Sequence, residues 1–170
     1  ILGCKVKGVE IDRKSAREAE SNLSWVATKR GIPSSKVQGS ILRGDARNLD
    51  HYFGRNIFDV IATEPILLPP IKKLPSRNVA QRLLDEAAQL YRDSLISIAE
   101  VLKLGGRVAI VLPQLRTLDG QVMDFNLDKY FRKIGLKPFI PLSMKNSDYP
   151  IIVSSPKKRA LRAVYVLEKT

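Results

Sequence analysis

Short β-branched runs alternate with segments of helical periodicity along most of this chain, and that alternation restricts the fold more than any other feature. Val6, Val9 and Ile11 form a strand-like run ending near Glu10. Asp12 then stands as a helix N-cap, and Ala16, Ala19, Leu23 and Val26 give Arg13 to Lys29 a helical spacing that Gly31–Ile32–Pro33 stops. Val37 to Leu42 and Ile57 to Thr63 read as the next two strands, and the proline-rich stretch after Glu64 reads as a loop. A long helix, capped by Ser76 or Asn78, carries Leu83, Ala87, Leu90, Tyr91, Leu95, Ile98, Ala99 and Leu102 on one face. It is expected to run to about Leu104 and to end at Gly105–Gly106. Arg107 to Leu112 is a strand that Pro113 should break, and Asn126 to Ile134 is a shorter helix stopped by Gly135. Phe139 to Met144 and Ala160 to Leu167 follow as strands with only a polar loop, Lys145 to Arg159, between them. The order predicts an α/β fold: a mostly parallel sheet with helices on both faces and a C-terminal antiparallel strand pair.

Length and composition fit that plan. The 170 residues are enough for one domain spanning 1–170, without repeat or linker. No apolar run approaches the roughly 20 residues that cross a bilayer. A lone cysteine, Cys4, cannot form an internal disulfide, which points to a reducing, cytoplasmic setting, and a chain with one His and one Cys argues against a structural zinc site. Lys+Arg number 29 against 17 Asp+Glu, a formal charge of +12, so the expected partner is a polyanion such as nucleic acid. The same excess also suits a solvated basic surface. Trp25 and Tyr91 fall within helical patterns and are expected to pack internally.

In an open α/β sheet, ligands bind beyond the carboxyl ends of the strands. Three acids stand at such ends: Glu10, Asp45 and Glu64. Glu10 precedes a capped helix, where a carboxylate can accept both hydroxyls of a ribose or simply favour the helix N-terminus. Asp45, with the Ala46 N–H beside it, can pair with the amino and ring nitrogens of an adenine, or close an Asx turn. Glu64–Pro65 ends a hydrophobic strand abruptly. A carboxylate held there can accept N–H bonds from an exocyclic amine and aim its lone pair at an electrophilic methyl; the plain alternative is an acid and a proline closing a strand. Lys72, Lys73 and Arg77, and further on Lys157, Lys158, Arg159 and Arg162, are candidate phosphate contacts or solvated charge.

Taken in order, Val6–Asp12, Leu42–Ala46 and Phe58–Pro65 resemble successive motifs of class I S-adenosylmethionine-dependent methyltransferases. Within that class the chain resembles RNA and DNA amino-methyltransferases, and among these the archaeal-type tRNA guanine-N2-methyltransferases. The resemblance covers nearly the whole chain. It implies a Rossmann-like methyltransferase fold, with S-adenosyl-L-methionine as cofactor. Glu10, with Ile11 beside it, would bind the ribose, and Asp45 and Ala46 the adenine. Thr63, Glu64 and Pro65 would face the methyl donor and the target amine. It further implies tRNA or another RNA as partner and a THUMP-like domain upstream in the full-length protein. A DNA amino-methyltransferase and a non-catalytic RNA-binding module are the competing readings.

The sequence departs from that pattern in two places. The motif reads Glu64–Pro65–Ile66–Leu67 where the family has Asp/Asn–Pro–Pro–aromatic. No strand with a glycine-rich loop precedes Ile1–Leu2–Gly3, which itself resembles the end of the helix that follows such a loop. The fold is therefore expected to lack its first strand and glycine-rich loop, the chain to be part of a longer protein, and these residues alone to bind cofactor weakly and to be inactive.

Overall fold

The computed structural model describes residues 4–65, 68, 71–126, 128–153 and 160–170, with 128 and 129 as backbone alone. Strand β1 (Gly8–Glu10) leads into helix α1 (Arg13–Lys29). Asp12 caps that helix as its sequence position requires: its Oδ1 accepts the Ser15 N–H at 2.7 Å. The same bond holds the Asp12 carboxyl below its ordinary value. Gly31, at φ +64°, turns the chain out of the helix. Then follow β2 (Ile41–Arg43), the short α2 (Leu49–Phe53), β3 (Phe58–Thr63) and the long α3 (Arg77–Val101). The chain continues through β4 (Leu102–Arg116), β5 (Val122–Met123) and α4 (Asp128–Lys133), and closes with β6 (Leu136–Pro138), β7 (Ile151–Val153) and β8 (Ala160–Lys169).

Two pairings are parallel, β1 with β2 and β3 with β4, and four are antiparallel, so the strands are mixed rather than mostly parallel among the described residues. They belong to two sheets: β1–β2 stands by itself, and β3–β4–β8–β6 forms the spine of a six-stranded sheet, with β5 added to β4 and β7 to β8. Among the described residues nothing pairs with β1 on the side away from β2, or with β3 on the side away from β4. The C-terminal strands are antiparallel, as expected, and β8 lies between β4 and β6.

Five local expectations need correction. The stretch from Val37 to Leu42 is extended only at its end, because Ser34–Lys36 forms a 3-10 turn and Gly39 takes φ +65°. Helix α3 stops at Val101 rather than near Leu104. Leu102 is already extended, at φ −69° and ψ 140°, and pairs with Phe58. Gly105 and Gly106 consequently lie inside β4, where four residues of β4 stand against one of β3 between the Phe58–Leu102 and Val60–Arg107 pairs. Gly105 has φ +72°, and a Cβ on Gly106 would stand 2.8 Å from the Lys103 carbonyl oxygen, so this bulge requires both glycines. Pro113 does not end β4. The β3 ladder ends at Ile110, and Pro113 sits opposite Arg162 of β8 in a stretch where the other edge of β4 has no paired strand. Finally, residues 139–144 are not a strand. The β6 ladder closes with the Phe139 N–H to the Val166 carbonyl, Pro141 follows, and the Met144 N–H returns to the Pro141 carbonyl. The partner of β8 in this region is instead β7, inside the stretch read as loop.

Helix α3 organises the interior. Tyr91, Leu95, Ile98 and Val101 are fully buried or nearly so against Leu102, Val108, Ile110, Phe131, Leu136 and Leu167. Burial raises the Tyr91 hydroxyl to about 12. A second cluster, Ala80, Leu84 and Leu115, gathers Leu68 and Ile71 from the loop beyond Pro65. Trp25 departs from expectation: it is 63% exposed on α1, with the Lys29 ammonium 6.0 Å from its ring. Among the described residues no helix is long and apolar enough to cross a membrane.

The α2 segment is tied to α3 by one buried bond. The Ser97 hydroxyl, 1% exposed, accepts the Leu49 N–H at 2.7 Å. Ser97→Ala would leave that N–H buried without its acceptor, and should destabilise the fold by about 1–3 kcal/mol. Urea denaturation checks this; an unchanged midpoint would show that the bond contributes nothing.

Candidate functional site

The parallel pairing of β1 with β2 brings two of the three strand-end acids together. Glu10 is opposite Arg43, and the Gly44 N–H donates to the Glu10 carbonyl at 3.0 Å. Asp45, one residue further, therefore follows the strand adjacent to Glu10. Strand–helix geometry fixes the Glu10 side chain: its Oε1 accepts the Asp12 N–H at 2.9 Å, at the mouth of α1. Both carboxylates are half-buried, while Ile11 and Ala46 beside them are exposed.

Asp45 is engaged locally. Its Oδ1 accepts the Arg47 N–H at 2.9 Å, capping a 3-10 turn over Ala46–Asn48. The Arg47 guanidinium grips the same carboxylate, Nη2 lying 2.6 Å from Oδ2 and Nε 3.1 Å from Oδ1. This bidentate contact, helped by the backbone N–H, holds the Asp45 carboxyl below its ordinary value. The turn chemistry is thus present in the structure. Any second partner for Asp45 must share it with Arg47 or displace it. The Asp45 N–H donates to the Tyr52 hydroxyl at 3.1 Å. Tyr52 in turn lies over Gly44, where an added Cβ would fall 2.6 Å from the ring. Glycine is needed at 44 because α2 places an aromatic ring against the turn.

Thr63, Glu64 and Pro65 lie at the end of β3, on the six-stranded sheet. Thr63 pairs with Ile110, the last β3 pair, so Glu64 is the first residue beyond the ladder. Its carboxylate is exposed and meets the Arg162 Nε at 2.9 Å. The sequence placed Arg162 only among possible phosphate contacts. Its pairing with Glu64 could not be read there, because β8 reaches the end of β3 across β4. Arg47 was likewise missed, although its spacing of two from Asp45 is the one an Asx turn presents.

The basic residues divide. Lys72 and Lys73 are exposed beyond the β3 loop. Arg77 is committed to a second task at the start of α3: its Nε bonds Asp119, whose other oxygen accepts the Thr117 hydroxyl. Thr117 first and Arg77 second lower the Asp119 carboxyl. Lys157, Lys158 and Arg159, together with Ile66 and Leu67, lie outside the described residues.

The acceptors at Glu10 and Asp45 suit the nucleoside half of an adenosine cofactor: a diol and an amine both donate to carboxylates. Among the described residues there is no glycine-rich turn to hold a charged amino-acid half.

No family model and no curated protein matches the chain. Solved structures do. The chain is similar to TrmN from Thermus thermophilus at TM-score 0.52 and 22% identity, over 95% of its own length. It is similar to the PH0226 protein from Pyrococcus horikoshii at TM-score 0.55 and 12% identity, covering 99% of this chain and 73% of that one. A geranyl diphosphate methyltransferase solved in complex with S-adenosylmethionine matches at TM-score 0.55 and 10% identity, covering 99% of this chain and 70% of that one. The chain spans about half the length, or less, of several structures that it matches, and only 35% of TrmN. At such identities the likeness establishes the fold, which is the Rossmann-like methyltransferase fold.

The Gly44–Tyr52 contact gives a direct test of this turn. Gly44→Ala should cost about 1–3 kcal/mol by overpacking. The same substitution on a Tyr52→Ala background should cost clearly less, since the obstructing ring is gone. Thermal denaturation of the four proteins measures the coupling, and equal penalties in both backgrounds would show that the ring is not what excludes a side chain.

Proposed function

We propose that the protein is an S-adenosylmethionine-dependent methyltransferase acting on an exocyclic amine of a nucleobase in RNA, with N2 of a tRNA guanosine as the target. The observation that carries this reading is the set of carboxylates at consecutive strand ends of a methyltransferase fold. Glu10 and Asp45 lie on neighbouring parallel strands, and Glu64 stands at the end of β3 next to Pro65. TrmN from Thermus thermophilus is among the proteins that share the fold. The charge of +12 suits a polyanionic substrate.

In this reading the Glu10 carboxylate accepts the ribose hydroxyls and Ile11 lines that site. Asp45 and the Ala46 N–H take the adenine edge as Arg47 gives way. Bound S-adenosylmethionine supplies an electrophilic methyl group on a sulfonium. The chain's own part is orientation. Glu64, with the backbone at Thr63 and Pro65, accepts the N–H bonds of the target amine and directs its lone pair, and such positioning can supply several kcal/mol. Lys72 and Lys73, with Lys157, Lys158 and Arg159, would meet phosphates and fix register without reading sequence, while Arg77 stays engaged with Asp119. The absence of a family aromatic after Pro65 leaves stacking on a flipped base to other residues. The natural protein is proposed to be longer, with a THUMP-like domain upstream.

The test is methyl transfer from labelled S-adenosylmethionine to bulk tRNA by the natural full-length protein, followed by nucleoside analysis. N2-methylguanosine is the expected product. Glu64→Gln should lower kcat about 10²-fold or more with cofactor affinity unchanged, and Glu10→Ala should weaken cofactor binding at least about tenfold. Residues 1–170 alone should bind the cofactor weakly in calorimetry, so tight binding there would contradict the expected loss of the glycine-rich loop. Label in DNA alone would redirect the assignment to a DNA amino-methyltransferase. No incorporation by a folded protein that retains RNA would make it a binding module.

A further inference from the structure

The ion pair between Glu64 and Arg162 is not explained by cofactor binding, by phosphate contact or by packing. Arg162 lies within β8, opposite Pro113 of β4 on one side and Val153 of β7 on the other. Its backbone is therefore held by strands on both flanks. Glu64 is on β3's continuation, and β3 pairs with β4 rather than β8. The Arg162 side chain thus reaches across the width of β4 to place Nε 2.9 Å from Oε1 of Glu64.

Two physical points make this contact more than decoration. The side chains are 49% and 42% exposed, and an ion pair so open contributes little to folding stability. Glutamate also has one more rotatable bond than the aspartate of the family motif, so an untethered carboxylate at a strand end would be spread over several rotamers. A guanidinium projected from a strand flanked on both sides biases that freedom toward one orientation. The carboxylate has about four lone-pair sites, so one Nε–H bond leaves it able to accept an amine N–H as well.

We infer that Arg162 is a positioning residue for Glu64: it fixes the carboxylate across β4 in the orientation that receives the target amine. The inference rests on the role proposed above for Glu64. It assigns Arg162 to the reaction through Glu64, rather than to the RNA backbone.

Single-turnover and steady-state methyl transfer to tRNA by the natural full-length protein, with Arg162→Gln, Arg162→Lys, Glu64→Gln and the Glu64→Gln/Arg162→Gln double variant, tests it. Arg162→Gln should lower kcat about 10- to 100-fold, with KM for tRNA and affinity for the cofactor nearly unchanged. Arg162→Lys, which keeps the charge, should recover part of that loss. The double variant should be no slower than Glu64→Gln alone, because a residue acting through Glu64 has nothing left to position. An Arg162→Gln protein with wild-type kcat, or one whose only change is a higher KM for tRNA and a shallower salt dependence, would overturn the inference and leave Arg162 a phosphate contact. Fully additive losses in the double variant would overturn it too. A wild-type protein that transfers no methyl group to RNA would instead remove the functional reading on which it stands, a failure visible before any Arg162 variant is made.

Discussion

The buried junction between α3 and β4 is the feature on which the rest of the structure depends. Val101 ends the helix and Leu102 begins the strand with no loop between them, and both are 0% exposed. A helix that passes directly into a strand cannot shift along its axis without dragging that strand out of register. Phe58 pairs with Leu102, and the Ile57 N–H bonds the Val101 carbonyl, so β3 takes its register from the same point. The strand then runs on for the length of the sheet and carries β8, and β8 carries β6 and β7. The apolar face of α3 closes over this assembly, and the loss of water from that face is the main stabilising term.

The same helix sets the other half of the molecule. Ser97 holds the start of α2, and α2 puts Tyr52 against Gly44 and Asp45. The turn that carries Asp45 is thus located by a hydrogen bond on α3, a long way off in sequence. The end of β3 is located by β4, and the Glu64 carboxylate by β8. Each strand-end acid depends on an element outside its own strand: Glu10 on the α1 mouth, Asp45 on Arg47 and α2, and Glu64 on Arg162.

Charge illustrates how much a composition leaves open. The excess of Lys and Arg gives the chain a strong positive balance, yet many of these residues are spoken for. Arg55 pairs with Glu100, Lys103 with Asp59, and both Arg107 and Lys137 with Glu168. Arg107 and then Lys137 depress the Glu168 carboxyl accordingly. Arg77, which looks from its sequence like a free phosphate contact, secures the Thr117–Gly120 turn through Asp119. A count of cations sets the long-range field; only their partners decide which of them can meet a polyanion.

What the sequence determined by itself was local. The Asp12 cap, the limits of α1, the course of β3 and the glycine stop after α4 all follow from a few adjacent residues whose backbone preferences agree. The three strand-end acids were legible for the same reason: an acid directly after a β-branched run needs no distant information to be located. Tertiary structure decided everything that depends on a partner far away in the chain. Gly105 and Gly106, read as a helix stop, serve a bulge opposite β3. Pro113 stays within β4 because β8 supports one edge there. Residues 139–144 lose their strand to Pro141 while β7 gains one from β8. Arg162 is a partner of Glu64 because β8 lies beside β4. These outcomes are set by ladder register and by the competition among buried surfaces. Neither is encoded in a window of neighbouring residues, and both appear only when the sheet is assembled.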